Sequence, residues 1–107
     1  MGWSVQQSEN RLIGLPSGRV DEKSWEELLA NLTQAIADAG SKKIDFVLDL
    51  SAVDYMSSRG LRVLTLARRE AETHQIQFAL ARPNDRMREI LAISRYDKIF
   101  KIEESIG

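Results

Sequence analysis

The stretch Ile44-Asp-Phe-Val-Leu-Asp-Leu-Ser-Ala-Val-Asp-Tyr-Met-Ser-Ser-Arg-Gly-Leu-Arg-Val-Leu64 holds the change of pattern from which the fold is read. Its first seven residues are mostly apolar and rich in strand formers, the signature of a buried strand. Over residues 61–73 the apolar positions Leu61, Leu64, Ala67 and Ala71 recur at helical spacing, with Val63 and Leu66 broadening the stripe. The helix is predicted to begin near Arg59, directly after two hydroxyls, Ser57 and Ser58. Ser58 is the predicted N-cap, its oxygen accepting from the amide of Gly60 or Leu61. Gly60 in the first turn leaves the backbone uncovered, so a phosphate on Ser58 would meet free N–H groups and the positive end of the helix dipole. A serine cap also contributes about 1 kcal/mol with no modification at all. The local chemistry accommodates both readings.

Working outward, residues 21–39 form the clearest helix, with Trp25, Leu28, Leu29, Leu32, Ile36 and Ala39 on one stripe. Asp21 or Ser24 is the predicted cap, Ser24-Trp-Glu-Glu27 has capping-box spacing, and Gly40 is the predicted left-handed terminator. Residues 4–15 read as an antiparallel hairpin turning at Ser8-Glu-Asn10. Residues 76–81 read as a strand, 84–93 as a short helix with Met87, Ile90 and Leu91 inward, and 98–102 as a last strand. The resulting order is β-β-α-β-α-β-α-β. Strands alternating with helices predict an α/β fold whose mixed sheet has four to five strands.

Composition narrows the function. The chain of 107 residues fits one domain, 1–107. Basic and acidic residues number 15 and 16, so the net charge of −1 offers no field for nucleic acid. Cysteine is absent, which removes thiolate nucleophiles and zinc–thiolate sites. The N-terminus lacks the pattern of a signal peptide, and no apolar run is long enough to insert in a membrane, so a cytoplasmic location is expected. Gly2 opens like a myristoylation signal, but Gln6 stands where Ser or Thr is needed.

Enzyme readings lack their parts. The single histidine, His74, lies at the polar end of the second helix, and no Gly-x-Ser-x-Gly elbow accompanies Ser57 or Ser58. Acidic residues are spread over helix faces instead of converging on a metal, and no phosphate-cradling glycine loop is present. Asp49 ends a strand as a phosphoacceptor aspartate does, without the acidic pair and lysine that such sites need. No catalytic residue, metal or cofactor is expected.

The segment Val47-Leu-Asp-Leu-Ser-Ala-Val-Asp-Tyr-Met-Ser-Ser-Arg-Gly-Leu-Arg-Val-Leu64 resembles the signature of the STAS family: an apolar strand ending in Asp-Leu-Ser, a short link, then a serine and Gly-Leu opening a helix. Ser17-Gly-Arg-Val-Asp21 looks like that family's turn before the first helix, and residues 88–100 are similar to its C-terminal helix and final strand. The resemblance implies an anti-sigma factor antagonist, a binding switch without catalysis. Its unphosphorylated form would bind an anti-sigma factor with serine-kinase activity, phosphorylation by that kinase would release it, and a serine phosphatase would reset it. The family's phosphorylated serine falls on Ser58, with Ser57 as the alternative. Ser57 replaces an aspartate common at that position, and Arg59 replaces a small residue. The implied docking surface comprises Asp21, Tyr55, Met56, Ser57, Ser58, Arg59, Gly60, Leu61, Arg62 and Thr65, on a monomer or weak dimer. The same resemblance also admits a subunit of a lipid or anion transport complex, or a stress-signalling scaffold, neither phosphorylated.

Overall fold

The computed structural model describes residues 1–106; Gly107, the last residue of the predicted 1–107 unit, lies outside them. β1 (Gly2–Gln7) and β2 (Arg11–Val20) form the predicted antiparallel hairpin, closed by a 2.9 Å bond from the Ser8 amide to the Arg11 carbonyl. β2 runs on past the predicted hairpin and through Pro16. Its residues Arg11 to Gly14 pair parallel with β3 (Asp45–Asp49), and Gly18 to Val20 pair parallel with β4 (Val53–Met56). Pro16 falls between these two ladders, where a missing N–H costs no parallel pairing.

β4 corrects the predicted element order. Residues 53–56 read as a link because four residues without alternation carry no strand signal of their own; the end of β2 makes them a strand by pairing with them. The remaining elements are α1 (Trp25–Lys42), α2 (Ser58–Thr73), β5 (Phe78–Ala81), α3 (Asp85–Ile93), a 3-10 turn (Tyr96–Lys98) and β6 (Lys101–Glu103). The sheet is mixed and has six strands, in the order β1-β2-β3-β5-β6 with β4 added on β2.

Strand alternation divides the apolar residues between two faces. Leu12, Phe46, Leu48 and Leu80 join Leu28, Leu32 and Ile36 of α1, Val63 and Leu64 of α2, and Met87 and Leu91 of α3 in the main core. Each fully buried aliphatic side chain there contributes roughly 1.5–3 kcal/mol. Ile13, Val47, Ala79 and Ala81 form a smaller cluster, packed by Leu15 and Ile106. Arg11 holds the C-terminal segment in place through both carboxylate oxygens of Glu103, at 2.7 and 2.8 Å, and the carbonyl of Ile106 at 2.9 Å.

The ends of α1 differ from expectation for reasons of packing. The Ser24 hydroxyl makes no cap bond to the helix; it accepts from the Asp21 amide at 3.0 Å and donates to the Arg19 carbonyl at 2.9 Å. Gly40 does not terminate the helix, because a Cβ there would lie 2.8 Å from the Cβ of His74, and glycine is used to let α1 and α2 approach. The left-handed residue is Lys43 (φ 57°), three positions on, whose amide donates to the carbonyls of Ala39 and Gly40.

Two polar links hold the loops that follow β3 and β5. Asp49, 1% exposed at the end of β3, accepts from the Ser51 amide at 2.9 Å and pairs with the Arg82 guanidinium. Asn84 caps α3 by accepting from the Met87 amide, and its side-chain amide donates to the Val53 carbonyl at 2.8 Å, covering the outer edge of β4.

Candidate functional site

The β4–α2 junction is set by one backbone bond. The Ser57 amide donates to the Val20 carbonyl at 2.8 Å, which prolongs the β2–β4 pairing by a residue and keeps Ser57 extended at φ −77°, ψ 176°. An extended residue before the first turn is an N-cap, so Ser57 takes that role: its Oγ accepts from the Gly60 amide at 3.3 Å, and its carbonyl accepts from the Leu61 amide at 2.9 Å. The predicted cap, Ser58, is instead the first helical residue, and it is exposed. The two adjacent hydroxyls therefore have different situations. Ser57 is half-buried and engaged by the helix; Ser58 stands at the surface, in the first turn of a helix with no acidic residue there.

Gly60 also has a role other than the predicted one. It is buried, its amide is taken by Ser57, and a Cβ on it would lie 2.5 Å from Met56 Cγ and 2.9 Å from Val20 Cγ1. Glycine is needed because the first turn of α2 rests directly on β2 and β4, not because the turn must lie open.

Arg59 reaches away from Ser58 toward α1. Its Nε is 3.1 Å from Glu22 Oε2, and its guanidinium lies 5.3 Å from the centre of the Trp25 ring. Glu22 offsets the unfavourable placement of a cation at a helix N-terminus. Trp25, Arg59, Arg62, Val63 and Leu66 line a groove of about 420 Å³ between α1 and α2, beside the serine pair. Trp25 belongs to the predicted core stripe, yet it is only half-buried and forms one wall.

On the other side of the junction, two guanidinium groups lie over the Tyr55 ring, Arg19 at 4.5 Å and Arg86 at 6.0 Å from its centre. Asp21 accepts from the Lys23 amide at 3.0 Å and faces Arg19 Nε at 3.6 Å. The hydrogen bond from the Lys23 amide holds the Asp21 carboxyl below its usual range; burial opposes it, and the Arg19 charge adds a smaller lowering effect.

The predicted docking residues thus separate. Asp21, Tyr55, Ser57, Ser58, Arg59 and Arg62 gather around the junction with at least partial exposure. Met56 and Gly60 are buried and supply packing, and Leu61 is half-buried against the core. Thr65 is two turns along α2, and its hydroxyl donates to the Tyr96 hydroxyl at 3.1 Å. Arg19, Glu22, Trp25 and Arg86 carry no local signal for the site; the pairing of β2 with β4, the packing of α1 on α2 and the packing of α3 on β4 bring them to the junction.

Comparison with known proteins bears on the family and the fold. The family model described as STAS domain matches residues 3–107. The chain is 31% identical over 105 residues to BtrV of Bordetella bronchiseptica, which carries the name of an anti-sigma factor antagonist; the match covers 98% of this chain and 88% of that one. Two solved structures share the fold. An anti-sigma-factor antagonist (STAS) domain protein from Planctomyces limnophilus superposes with a TM-score of 0.81 at 18% identity, covering 97% of this chain and 90% of that one. The anti-sigma factor antagonist SpoIIAA in its unphosphorylated form gives 0.74 at 15% identity, covering 98% and 90%.

Proposed function

Because this chain belongs to the STAS domain family, with an anti-sigma factor antagonist among its relatives, we propose that it is a phosphorylation-controlled binding protein that sequesters an anti-sigma factor kinase while Ser58 carries no phosphate. The observation that carries the reading is the division of labour at the head of α2. Ser57 supplies the cap from a half-buried position, which leaves the Ser58 hydroxyl at the surface and free of a structural duty.

A phosphate on Ser58 would add about −1.5 to −2 charges in the first helical turn, where the dipole favours an anion. The fold would be retained and the surface changed. A partner that docks on the junction and the adjoining groove would meet a dianion in place of a neutral hydroxyl, with like-charge repulsion or desolvation of the phosphate opposing binding. Modification of Ser57 would first have to break the bond to the Gly60 amide, so Ser58 is the acceptor and a serine phosphatase restores it.

The test is incubation with ATP and each candidate anti-sigma kinase of the same genome, with the phosphate located by mass spectrometry. Phosphate on Ser58, with loss of a kinase complex on titration calorimetry, is the expected result. Phosphate on Ser57 alone, or on neither serine with every kinase, would overturn the proposal. No helix among the described residues is long and apolar enough to cross a membrane.

A further inference from the structure

Among the described residues the sheet has three strand edges not covered by another strand, and two of them are blunted. β6 is three residues long, and its Lys101 and Glu103 place charge on the edge. The outer side of β4 is occupied by Asn84, which donates to the Val53 carbonyl. β1 is different. It spans six residues, Gly2-Trp-Ser-Val-Gln-Gln7, pairs only with β2, and contains neither a charged residue nor a proline, in a chain that is 29% charged. Its Val5 is one of the exposed large apolar residues, at 43%.

The register shows which backbone groups that edge offers. Ser8 and Arg11 are a hydrogen-bonded pair, and alternation along an antiparallel ladder then makes Gln6–Ile13 and Ser4–Leu15 hydrogen-bonded and Gln7–Leu12, Val5–Gly14 and Trp3–Pro16 not. The proline opposite Trp3, which has no N–H to donate, fits the same phase. The N–H and C=O groups of Trp3, Val5 and Gln7 therefore point away from β2, toward the open edge.

We infer that β1 pairs antiparallel with β1 of a second copy of this chain, with the two-fold axis at Val5. In that register Val5 faces Val5 of the second copy as a hydrogen-bonded pair, and Trp3 faces Gln7 on either side, giving about six new backbone hydrogen bonds. All three outward residues of each copy are used, and the exposed Val5 side chains cover each other. The neutrality of the strand selects a second copy as occupant: a segment identical to itself meets no like-charge repulsion, and the segment is self-complementary about one residue. The antiparallel arrangement also sends the two Gly2 ends in opposite directions. Gly2 pairs with Ser17 near the end of β2 that leads to Ser57, so the two Ser58 junctions fall at opposite ends of the joined sheet, both accessible.

Sedimentation velocity of the whole chain from micromolar to millimolar concentration tests the association, with two variants to test the register. Val5→Pro removes the outward donor at the axis, which the β1–β2 ladder does not use, so the expected result is loss of the dimer with an unchanged circular dichroism spectrum. Because the chain has no cysteine, Val5→Cys can oxidise only between copies, and is expected to give a covalent dimer, whereas Ser4→Cys, placed opposite Gln6 of the second copy, is not. A wild-type chain that stays monomeric throughout would overturn the inference. So would a dimer indifferent to Val5→Pro, equal cross-linking by the two cysteine variants, or β1 amides that gain exchange protection only when a different protein is added.

Discussion

Ser57 Oγ accepts a hydrogen bond from the Gly60 amide at 3.3 Å, so the residue that caps α2 is the neighbour of the serine that faces outward. This separation gives the two hydroxyls opposite mutational signatures. Ser57→Ala is expected to cost about 1 kcal/mol, the usual value of a serine cap. Ser58→Ala, at an exposed site without that bond, should stay within about 0.5 kcal/mol of wild type. Urea denaturation of both variants checks the assignment, and a larger loss from Ser58→Ala would reverse it.

Ser58→Asp places a carboxylate in the first turn of α2, where it should stabilise the fold by about 0.3–1 kcal/mol while weakening the kinase complex at least tenfold. Ser58→Ala should bind the kinase as wild type does and resist release by ATP. Thermal melts and titration calorimetry read the two effects separately, and equal affinities for the Asp and Ala variants would remove charge as the switch.

At Gly60 helix propensity and packing oppose each other. Alanine in an exposed helix interior would gain about 1 kcal/mol over glycine. Here its Cβ would lie 2.5 Å from Met56 Cγ, and overpacking of this kind costs typically about 1–3 kcal/mol. Gly60→Ala should therefore destabilise the chain. The variant with Met56→Ala beside it should recover part of the clash, and a non-additive double-mutant cycle is the measurement.

The Asp49–Arg82 pair predicts the acid limb of stability. Burial pushes the Asp49 carboxyl up, but the hydrogen bonds from Arg82 and the Ser51 amide outweigh it and leave the carboxyl below its ordinary value. A carboxyl depressed in the fold stabilises fully above the unfolded value of about 3.9, and that contribution disappears as pH falls through the lower folded value. Asp49→Asn should cost about 1.5–3 kcal/mol at neutral pH, the range for a hydrogen bond to a charged group, and should flatten the decline between neutral and strongly acidic pH. Denaturation midpoints of both proteins across that range test the sign.

Local pattern was enough wherever one element could bury a face by its own periodicity. The stripe through Leu28, Leu32, Ile36 and Ala39, the run Phe46-Val-Leu-Asp49 and the Ser8–Arg11 turn were all legible, and they specify the hairpin, the main helices and an α/β sheet. β4 was not, because its strand character comes from pairing with residues more than thirty positions earlier. The end of α1 was misread for a related reason. Glycine is a general stop signal, but Gly40 is there for the approach of His74, and the stop moved to Lys43.

The sequence by itself determined the family likeness and the pair Ser57-Ser58 at a helix start. Only the tertiary structure decided which serine does what. Local pattern points to Ser58 as the cap, although either of two adjacent serines can turn its oxygen to an amide three residues on. The 2.8 Å bond from the Ser57 amide to Val20, a contact made across the sheet, decides between them by holding Ser57 extended, and Ser58 becomes the exposed residue as a result.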